Sequence, residues 1–292
     1  MLNKKILKKI VIGTAQFGLN YGIANSKGKI KISEIKKIIK FAKSKGITKI
    51  DTAHAYGDCE RRLGKVGIKS FDVIIKLPAT EPTYPYDQWV KKSINSSLKK
   101  MKIKKAETVL IHNVKYLLNR KMGSKIYNEL SKFKEKKIIN NIGVSLYSVP
   151  EVKKVSKKFD IDLILMSLNI FDQRITNKNL IKYLKKKKIK IYTRSTFLQG
   201  LLLMPKSKLP KKFYKWKKKF DTWYRELYIK KVNPYDVCLN FVLNNKNIHS
   251  TLIGVDDFIQ FKELFKIKKV KNFNYNKLKC DNLKNLINPS MW

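Results

Sequence analysis

Eight short apolar runs that alternate with segments of helical periodicity constrain the fold of this chain more than any other feature. They predict strands at residues 9–16, 47–52, 72–77, 108–112, 139–145, 161–167, 189–194 and 250–255. Helices are predicted at 33–44, 59–63, 86–100, 124–136, 150–158, 177–187 and 234–243, with Ser33 as the N-cap of the first. This alternation indicates a parallel sheet covered by helices, either a closed β/α barrel or an open doubly wound sheet.

The chain is predicted to form one domain over residues 1–292, because no Pro-, Ser- or Gly-rich segment divides it. No apolar run reaches the roughly 18–20 residues of a membrane span, and residues 1–9 lack the apolar core of a signal peptide. The three cysteines, Cys59, Cys238 and Cys280, show neither metal-ligand spacing nor a disulfide pattern. We therefore expect a cytoplasmic protein with no metal site and no membrane partner.

The formal net charge of +45 makes a nucleic acid or another polyanion a candidate partner. Only six of the 66 basic residues are arginine, however, and direct reading of bases favours the arginine fork. The lysines are spread along the chain at positions expected on the outer faces of helices, and no nucleic-acid-binding motif is present. We predict a solvated lysine-rich surface without a specific nucleic-acid partner, which would still attract anionic metabolites.

Ionisable residues lie at or just beyond the carboxyl ends of three predicted strands: Asp51 with the nearby Tyr56, Lys76, and His112. In a parallel β/α barrel, active sites are built at that end. A lysine beside a tyrosine lowers the phenol pKa from about 10, and a carboxylate keeps the lysine charged. A histidine can orient a carbonyl oxygen. Together these groups would protonate the oxygen of an aldehyde or ketone while hydride reaches its carbon.

This constellation resembles the aldo/keto reductase family, whose Asp-x4-Tyr-Gly motif corresponds to Asp51 through Gly57. The family's catalytic lysine and histidine match Lys76 and His112. Weaker matches at 12–18, 143–145, 169–174, 199–202 and 253–254 extend the resemblance over nearly the whole chain. It implies a single (β/α)8 TIM barrel, and no Gly-x-Gly-x-x-Gly follows a strand to suggest a Rossmann site. It also implies that Tyr56 is the general acid and Asp51 the anchor of Lys76.

The resemblance further implies NADP or NAD as cofactor. The corresponding residues are Gly13, Thr14, Ser145, Asn169, Arg194, Ser195, Gln199, Gly200, Leu201, Gly254, Gln260 and Glu263. Ser145 and Asn169 correspond to the nicotinamide end, and Ser195 through Leu201 to the pyrophosphate. Arg194 occupies the position where many members stack an aromatic ring on nicotinamide, so a guanidinium stack is expected instead.

The sequence leaves the choice between the two cofactors open. Gln260 lies near the position of the family's NADP-selecting arginine. Asp256 or Asp257 would repel a 2′-phosphate, whereas Lys262 could compensate. Preference for NADH or NADPH is therefore a question for binding measurements.

We expect a reductase of a small carbonyl substrate. Residues 197–203 and 289–292 are similar to bacterial reductases of sugar or surface-polysaccharide metabolism. One alternative is a non-catalytic barrel subunit that senses nucleotide, and a second is a basic polyanion-binding protein. The sequence indicates neither the oligomeric state nor the substrate, because loops determine specificity.

Overall fold

The computed structural model describes residues 4–292 and contains a closed barrel of eight parallel strands. Residues 1–3, which the single-domain prediction includes, lie outside the described residues. The strands are β1 Ile10–Gly13, β2 Lys49–Asp51, β3 Asp72–Lys76, β4 Ala106–Ile111, β5 Ile139–Ser145, β6 Leu163–Ser167, β7 Lys190–Arg194 and β8 Ser250–Gly254. Each strand pairs with the next, and β8 pairs with β1 to close the barrel. The barrel prediction is confirmed, and the open doubly wound sheet is excluded.

Helices surround the barrel and lie in the connections between strands. They are α1 Lys4–Leu7, α2 Ala15–Gly18, α3 Ile32–Ser44, α4 Cys59–Val66, α5 Tyr86–Met101, α6 Val114–Leu118, α7 Gly123–Glu135, α8 Val149–Lys158, α9 Lys178–Lys186, α10 Lys217–Lys230, α11 Pro234–Leu243, α12 Phe258–Glu263 and α13 Lys284–Ile287. Within residues 4–292, no helix combines the length and apolar character that a membrane span requires.

Two local predictions are wrong. The first strand ends at Gly13 and not at residue 16, because α2 begins at Ala15 and the Phe17 N–H bonds to the Thr14 carbonyl. Ser33 does not cap α3, because that helix begins at Ile32 and has Lys31 as its N-cap.

The core has an inner and an outer layer. Inside the barrel, side chains from alternate strand positions pack together: Val11, Ile74, Leu110, Leu163, Leu165 and Tyr192. The outer layer fills the space between strands and helices. A further apolar cluster, which includes Phe171, Phe213, Phe220 and Trp223, packs the segment after β7 against α10, α11 and the last turns of the chain. The rigid barrel thus presents the carboxyl ends of all eight strands at one face.

The lysines lie where an amphipathic helix meets solvent. In α3, Ile35, Ile38 and Ile39 are buried, while Lys36 and Lys40 between and beyond them are exposed. This arrangement explains how a chain with 66 basic residues still builds an apolar core.

Candidate active site

The buried centre of the barrel mouth is an ion pair between Asp51 at the end of β2 and Lys76 at the end of β3. Lys76 Nζ lies 2.5 Å from each Asp51 carboxylate oxygen, and the two residues are 1% and 3% exposed. The same ammonium lies 3.2 Å from the Tyr56 hydroxyl and 3.4 Å from the Thr52 carbonyl oxygen. Three residues from two strand ends and one turn are therefore joined through a single nitrogen.

Tyr56 reaches this position through a tight turn between β2 and α4. The Tyr56 N–H donates to the Ala53 carbonyl at 3.0 Å, and Gly57 follows with φ of +58°. A Cβ at Gly18 would lie 1.8 Å from the Tyr56 carbonyl oxygen, and one at Gly57 would lie 2.6 Å from that of Gly18. Two glycines thus let α2 and the Tyr56 turn approach closely, which fixes the direction of the phenol.

Burial dominates the electrostatics of the three groups. It raises the pKa of Asp51, and the Lys76 charge opposes that rise. Burial alone would lower the pKa of Lys76, but Asp51 and Tyr56 outweigh it and hold the pKa above its usual value. The bidentate contact therefore favours the ionised pair at neutral pH.

Burial raises the pKa of Tyr56 to about 12, although Lys76 acts in the opposite direction. The net shift is therefore the reverse of the lowering that the sequence predicts. The reason is that the ring is enclosed at the barrel mouth, and the cost of an ionised phenolate there exceeds its attraction to one ammonium. At neutral pH the phenol keeps its proton.

His112 lies one residue beyond β4. Its Nδ1 atom is buried and bonds to no residue in the described chain. Burial, assisted by the charges of Lys76 and Arg194, lowers the pKa of His112 to about 4. The imidazole is neutral at physiological pH, and its Nδ1 is an enclosed polar atom to which the described chain gives no hydrogen-bond partner.

Cys59 lies beneath the tetrad of Asp51, Tyr56, Lys76 and His112. Its sulfur contacts the Thr14 hydroxyl at 3.1 Å, and burial raises its pKa to about 11. The thiol is therefore a packed side chain with little nucleophilic character.

Arg194 ends β7 and lies at the same mouth. Its guanidinium carbon is 4.3 Å from the centroid of the Tyr147 ring, and Nη1 donates to the Ser167 hydroxyl at 2.9 Å. The stack that the sequence predicts for nicotinamide is made here with a tyrosine of the chain itself.

Sequence reasoning missed Tyr147 and Tyr21. Tyr147 follows β5 by two residues, so an aromatic residue just past a strand end was a usable signal. Tyr21 comes from the long connection after α2, where no pattern marks it. Burial raises the pKa of Tyr21, against the charges of Arg194 and Lys76, which indicates that its hydroxyl lies in their field.

Several of the predicted cofactor residues already form hydrogen bonds within the protein or are buried. Thr14 is fully buried, and its hydroxyl donates to the Asp51 carbonyl at 2.8 Å. The Asn169 side chain accepts from the N–H groups of Phe171 and Asp172 and donates to the Ser195 carbonyl. Both residues hold strand ends and loops in register. Ser145 ends β5 and is also buried.

The segment from Ser195 to Gly200 has an unusual backbone. Ser195, Leu198, Gln199 and Gly200 have φ values of +64°, +49°, +56° and +86°. The N–H groups of Leu198 and Gly200 donate to the Ser195 and Phe197 carbonyls, both at 2.9 Å, so the segment is a tight turn with internal hydrogen bonds. Leu201 is buried and anchors the end of the loop in the apolar cluster after β7.

The connection over residues 19–29 reaches across to this segment and to the loop after β8. The Ala24 N–H donates to the Gln199 carbonyl at 3.4 Å, and the Gln199 amide donates to the Tyr21 hydroxyl at 3.4 Å. Lys27 forms an ion pair with Asp257. Residues 19–29 therefore border the barrel mouth beside the segment after β7 and the loop after β8.

The loop after β8 is acidic and hydrogen-bonded. The Asp257 carboxylate accepts from the Gln260 N–H at 2.7 Å and caps α12, and the Gln260 side chain accepts from the Asp256 N–H at 2.8 Å. Glu263 pairs with Lys266 at 2.8 Å. The side chain of Gln16 approaches Gly254, where a Cβ would lie 2.8 Å from its oxygen.

These features fit an extended dinucleotide. Gly13 and Gly254 pair at the β1–β8 seam without side chains, and Arg194, Ser195, Gln199 and Gly200 are partly exposed. A separate surface cavity of about 580 Å³, lined by residues such as Leu227 and Tyr228 at the end of α10, lies apart from the tetrad.

Comparison with known proteins agrees with this geometry. The model of the aldo/keto reductase family matches residues 9–283. An aldo-keto reductase from Bacillus halodurans in its holo form shares 14% identity with a TM-score of 0.69, covering 92% of this chain and 89% of that one. A thermostable aldo-keto reductase bound to the inhibitor epalrestat shares 19% identity with a TM-score of 0.69, covering 94% of both chains. No curated protein sequence matches the chain significantly.

At these identities the solved structures bear on the fold, whereas the family match spans nearly the whole chain and includes every residue of the tetrad. The chain therefore belongs to the aldo/keto reductase family, and it is an NAD(P)-dependent oxidoreductase that acts on carbonyl groups.

Proposed function

We propose that this protein reduces an aldehyde or ketone to an alcohol, with Tyr56 as the general acid. The observation that carries the proposal is the single Lys76 ammonium in contact with both Asp51 oxygens and with the Tyr56 hydroxyl. A cation at this position stabilises the phenolate that remains after proton transfer.

Tyr56 keeps its proton until negative charge develops on the substrate oxygen. Because the pKa of Tyr56 is about 12, the phenol stays protonated at neutral pH and releases its proton only to an oxygen on which negative charge develops. Lys76 then faces an anion 3.2 Å away in place of a neutral hydroxyl. Asp51 keeps Lys76 charged and oriented.

His112 serves as a neutral hydrogen-bonding group that orients the carbonyl oxygen toward Tyr56. Its pKa of about 4 keeps it uncharged, so it adds no charge beside Lys76 and Arg194. Its position one residue beyond β4, at the barrel mouth, supports this role.

NADH or NADPH, when bound, supplies the hydride that reaches the carbonyl carbon. We assign the nicotinamide end to Ser145 and Asn169, with Arg194 beside this position and Gly13 and Thr14 shaping the floor. Ser195, Gln199, Gly200 and Leu201 would hold the pyrophosphate. Gly254, Gln260 and Glu263 would border the adenosine. The side chains of Thr14 and Asn169 already form hydrogen bonds within the protein, so we propose that they stabilise the site more than they contact the cofactor.

We further propose a sugar or nucleotide-sugar derivative as the substrate, from the similarity of residues 197–203 and 289–292 to bacterial reductases of that metabolism. One barrel domain would carry the whole activity. The three free cysteines are consistent with the predicted cytoplasmic location.

The test is single-turnover reduction of a panel of aldehydes, ketones and nucleotide-sugar derivatives with both cofactors. Tyr56→Phe removes only the hydroxyl, so the fold and cofactor binding should survive while the rate falls about 10²–10⁴-fold. Tyr228→Phe is the matched control, because that ring is 84% exposed at the surface.

Wild-type rates in a folded Tyr56→Phe variant would sink the assignment of the acid. Tight cofactor binding without turnover of any carbonyl would favour the rival, a nucleotide-sensing subunit.

A further inference from the structure

Arg194 carries a charge that no carboxylate neutralises. None of the ion pairs formed within residues 4–292 includes it. Lys76, by contrast, is neutralised by Asp51, and Arg174 pairs with Asp172 at 2.7 Å. Arg194 is partly buried, so its charge is screened less than that of a surface lysine.

The guanidinium lies within the electrostatic reach of the tetrad. It contributes to the lowered pKa of His112 and opposes the rise in that of Asp51. It stacks on Tyr147, and it also opposes the rise in the pKa of Tyr21. The mouth is therefore lined by a cation and two tyrosines beside the position proposed for the reacting carbonyl.

Donor capacity remains on this guanidinium. An arginine has five N–H donors. In the described chain, Nη1 donates to the hydroxyls of Ser167 at 2.9 Å and Ser195 at 3.5 Å, and Nη2 donates to the Leu146 carbonyl at 3.3 Å. These contacts use at most three donors, and all three acceptors are neutral. They orient the guanidinium and leave at least two N–H donors for an oxyanion, the ligand that a guanidinium binds best.

We propose that the substrate is a carbonyl compound that bears an oxyanion, a carboxylate or a phosphate, and that Arg194 binds this group while Tyr56 faces the carbonyl. This inference rests on the proposed reductase activity and narrows its substrate class. The net charge of +45 adds a long-range field that draws such anions toward the protein.

The anionic substituent is unchanged by the reaction. Hydride from the cofactor forms the new C–H bond at the carbonyl carbon, the C=O π electrons move to oxygen, and the Tyr56 proton forms the O–H bond. The cofactor is oxidised, the carbonyl is reduced, and solvent reprotonates Tyr56.

Matched substrates test the proposal. 4-Carboxybenzaldehyde and its methyl ester differ in charge at nearly the same shape, and glyceraldehyde 3-phosphate and glyceraldehyde form the phosphate pair. We expect the wild type to favour the anionic member of at least one pair in kcat/KM. Arg194→Met should lower kcat/KM for that member about 10- to 100-fold more than for the neutral member of the pair. Whichever pair responds identifies the oxyanion.

Arg225→Met is the matched control, because Arg225 is an exposed arginine on α10. Its variant should keep the wild-type preference, which would show that the effect does not come from net charge alone. Equal losses on both members of a pair in Arg194→Met, or a loss confined to NADH and NADPH affinity, would assign the guanidinium to the cofactor and overturn the proposal.

A binding measurement separates this inference from the reductase assignment. Calorimetric titration of the cofactor-loaded protein with terephthalate, which has no reducible carbonyl, should show binding that Arg194→Met weakens at least tenfold. Inorganic phosphate provides the same reading for the phosphate class. Absence of carbonyl turnover would count against the proposed function, whereas wild-type affinity for both anions in Arg194→Met would count against the oxyanion site.

Discussion

The tetrad and the loop after β8 lie at the same face of the barrel but are built in opposite ways. Asp51 and Lys76 end rigid strands, are almost fully buried and meet at 2.5 Å. Asp256 and Asp257 belong to a loop, and the ion pair of Asp257 is made with Lys27, a side chain that is 57% exposed. Strand register therefore determines the proposed proton chemistry, whereas the proposed cofactor preference would depend on partly exposed groups whose interactions salt weakens.

Charge balance differs in the same way. In the tetrad one lysine neutralises one carboxylate, and the neutral His112 adds no charge. In the loop, Asp257 is shared between Lys27 and the N-terminus of α12, and Asp256 bonds only to neutral amides. A change of one charge should therefore have a large effect in the tetrad and a small effect in the loop.

The largest effect is expected for Lys76→Met. The phenolate would lose its stabilising cation, so the reduction rate should fall about 10²–10⁴-fold in single-turnover measurements. The losses from Lys76→Met and Tyr56→Phe should be far from additive, because the pair acts as a unit. Lys49→Met is the control, since Lys49 bonds to Ser250 at the opposite end of the strands.

Lys76→Met also leaves Asp51 buried and unpaired, which costs about 3–5 kcal/mol of stability. The double variant Asp51→Asn/Lys76→Met removes that buried charge and provides a folded reference if the single variant is unstable. Additive rate losses across the Tyr56 and Lys76 variants would show that the two residues act independently.

An intermediate effect is expected for His112 on the pH dependence of stability. Its pKa is about 4 in the folded protein and 6.5 in the unfolded chain, so the unfolded state binds the proton first. Stability should fall as the pH drops from about 6.5 to 4, by roughly 3 kcal/mol over that window. Urea unfolding at pH 7 and pH 4.5 should show a smaller loss for His112→Gln than for the wild type. Identical losses would mean that the imidazole is not buried as described.

The smallest effect is expected at the loop. We predict that NADH binds at least as well as NADPH and that Asp257→Asn, which keeps the helix cap and releases Lys27, shifts the preference several-fold toward NADPH. Titration by nicotinamide fluorescence at one ionic strength measures both affinities. Asp221→Asn, another partly buried aspartate that pairs with lysine, is the control. A wild-type preference for NADPH beyond about a hundredfold, near 3 kcal/mol, would require a dedicated phosphate pocket.

The sequence predicted the barrel well, because apolar runs of strand length and amphipathic helices are local patterns. β5 and α11 have the predicted bounds. β1 is shorter than predicted and ends at Gly13, next to the bond from Thr14 to the Asp51 carbonyl, which joins residues 37 positions apart. Long-range contacts of this kind are not visible in a local pattern.

The tetrad was identified from spacing, but its electrostatics were not. The lowering of the Tyr56 pKa by Lys76 follows from charge alone, whereas the net rise in this pKa depends on how completely the fold encloses the ring. The aromatic ring that stacks on Arg194 was not predicted either, because Tyr147 lies in a different connection between strands. Contacts between connections depend on tertiary packing and require the structure.

Gly18 and Gly57 have a consequence for anyone who wishes to redirect this protein to new substrates. A side chain at either position would collide with the other turn's backbone and displace the tyrosine. Directed-evolution libraries should therefore keep both glycines fixed and diversify the exposed connections around them. Random mutagenesis would otherwise lose active variants at two positions that a survey of the pocket lining would treat as free.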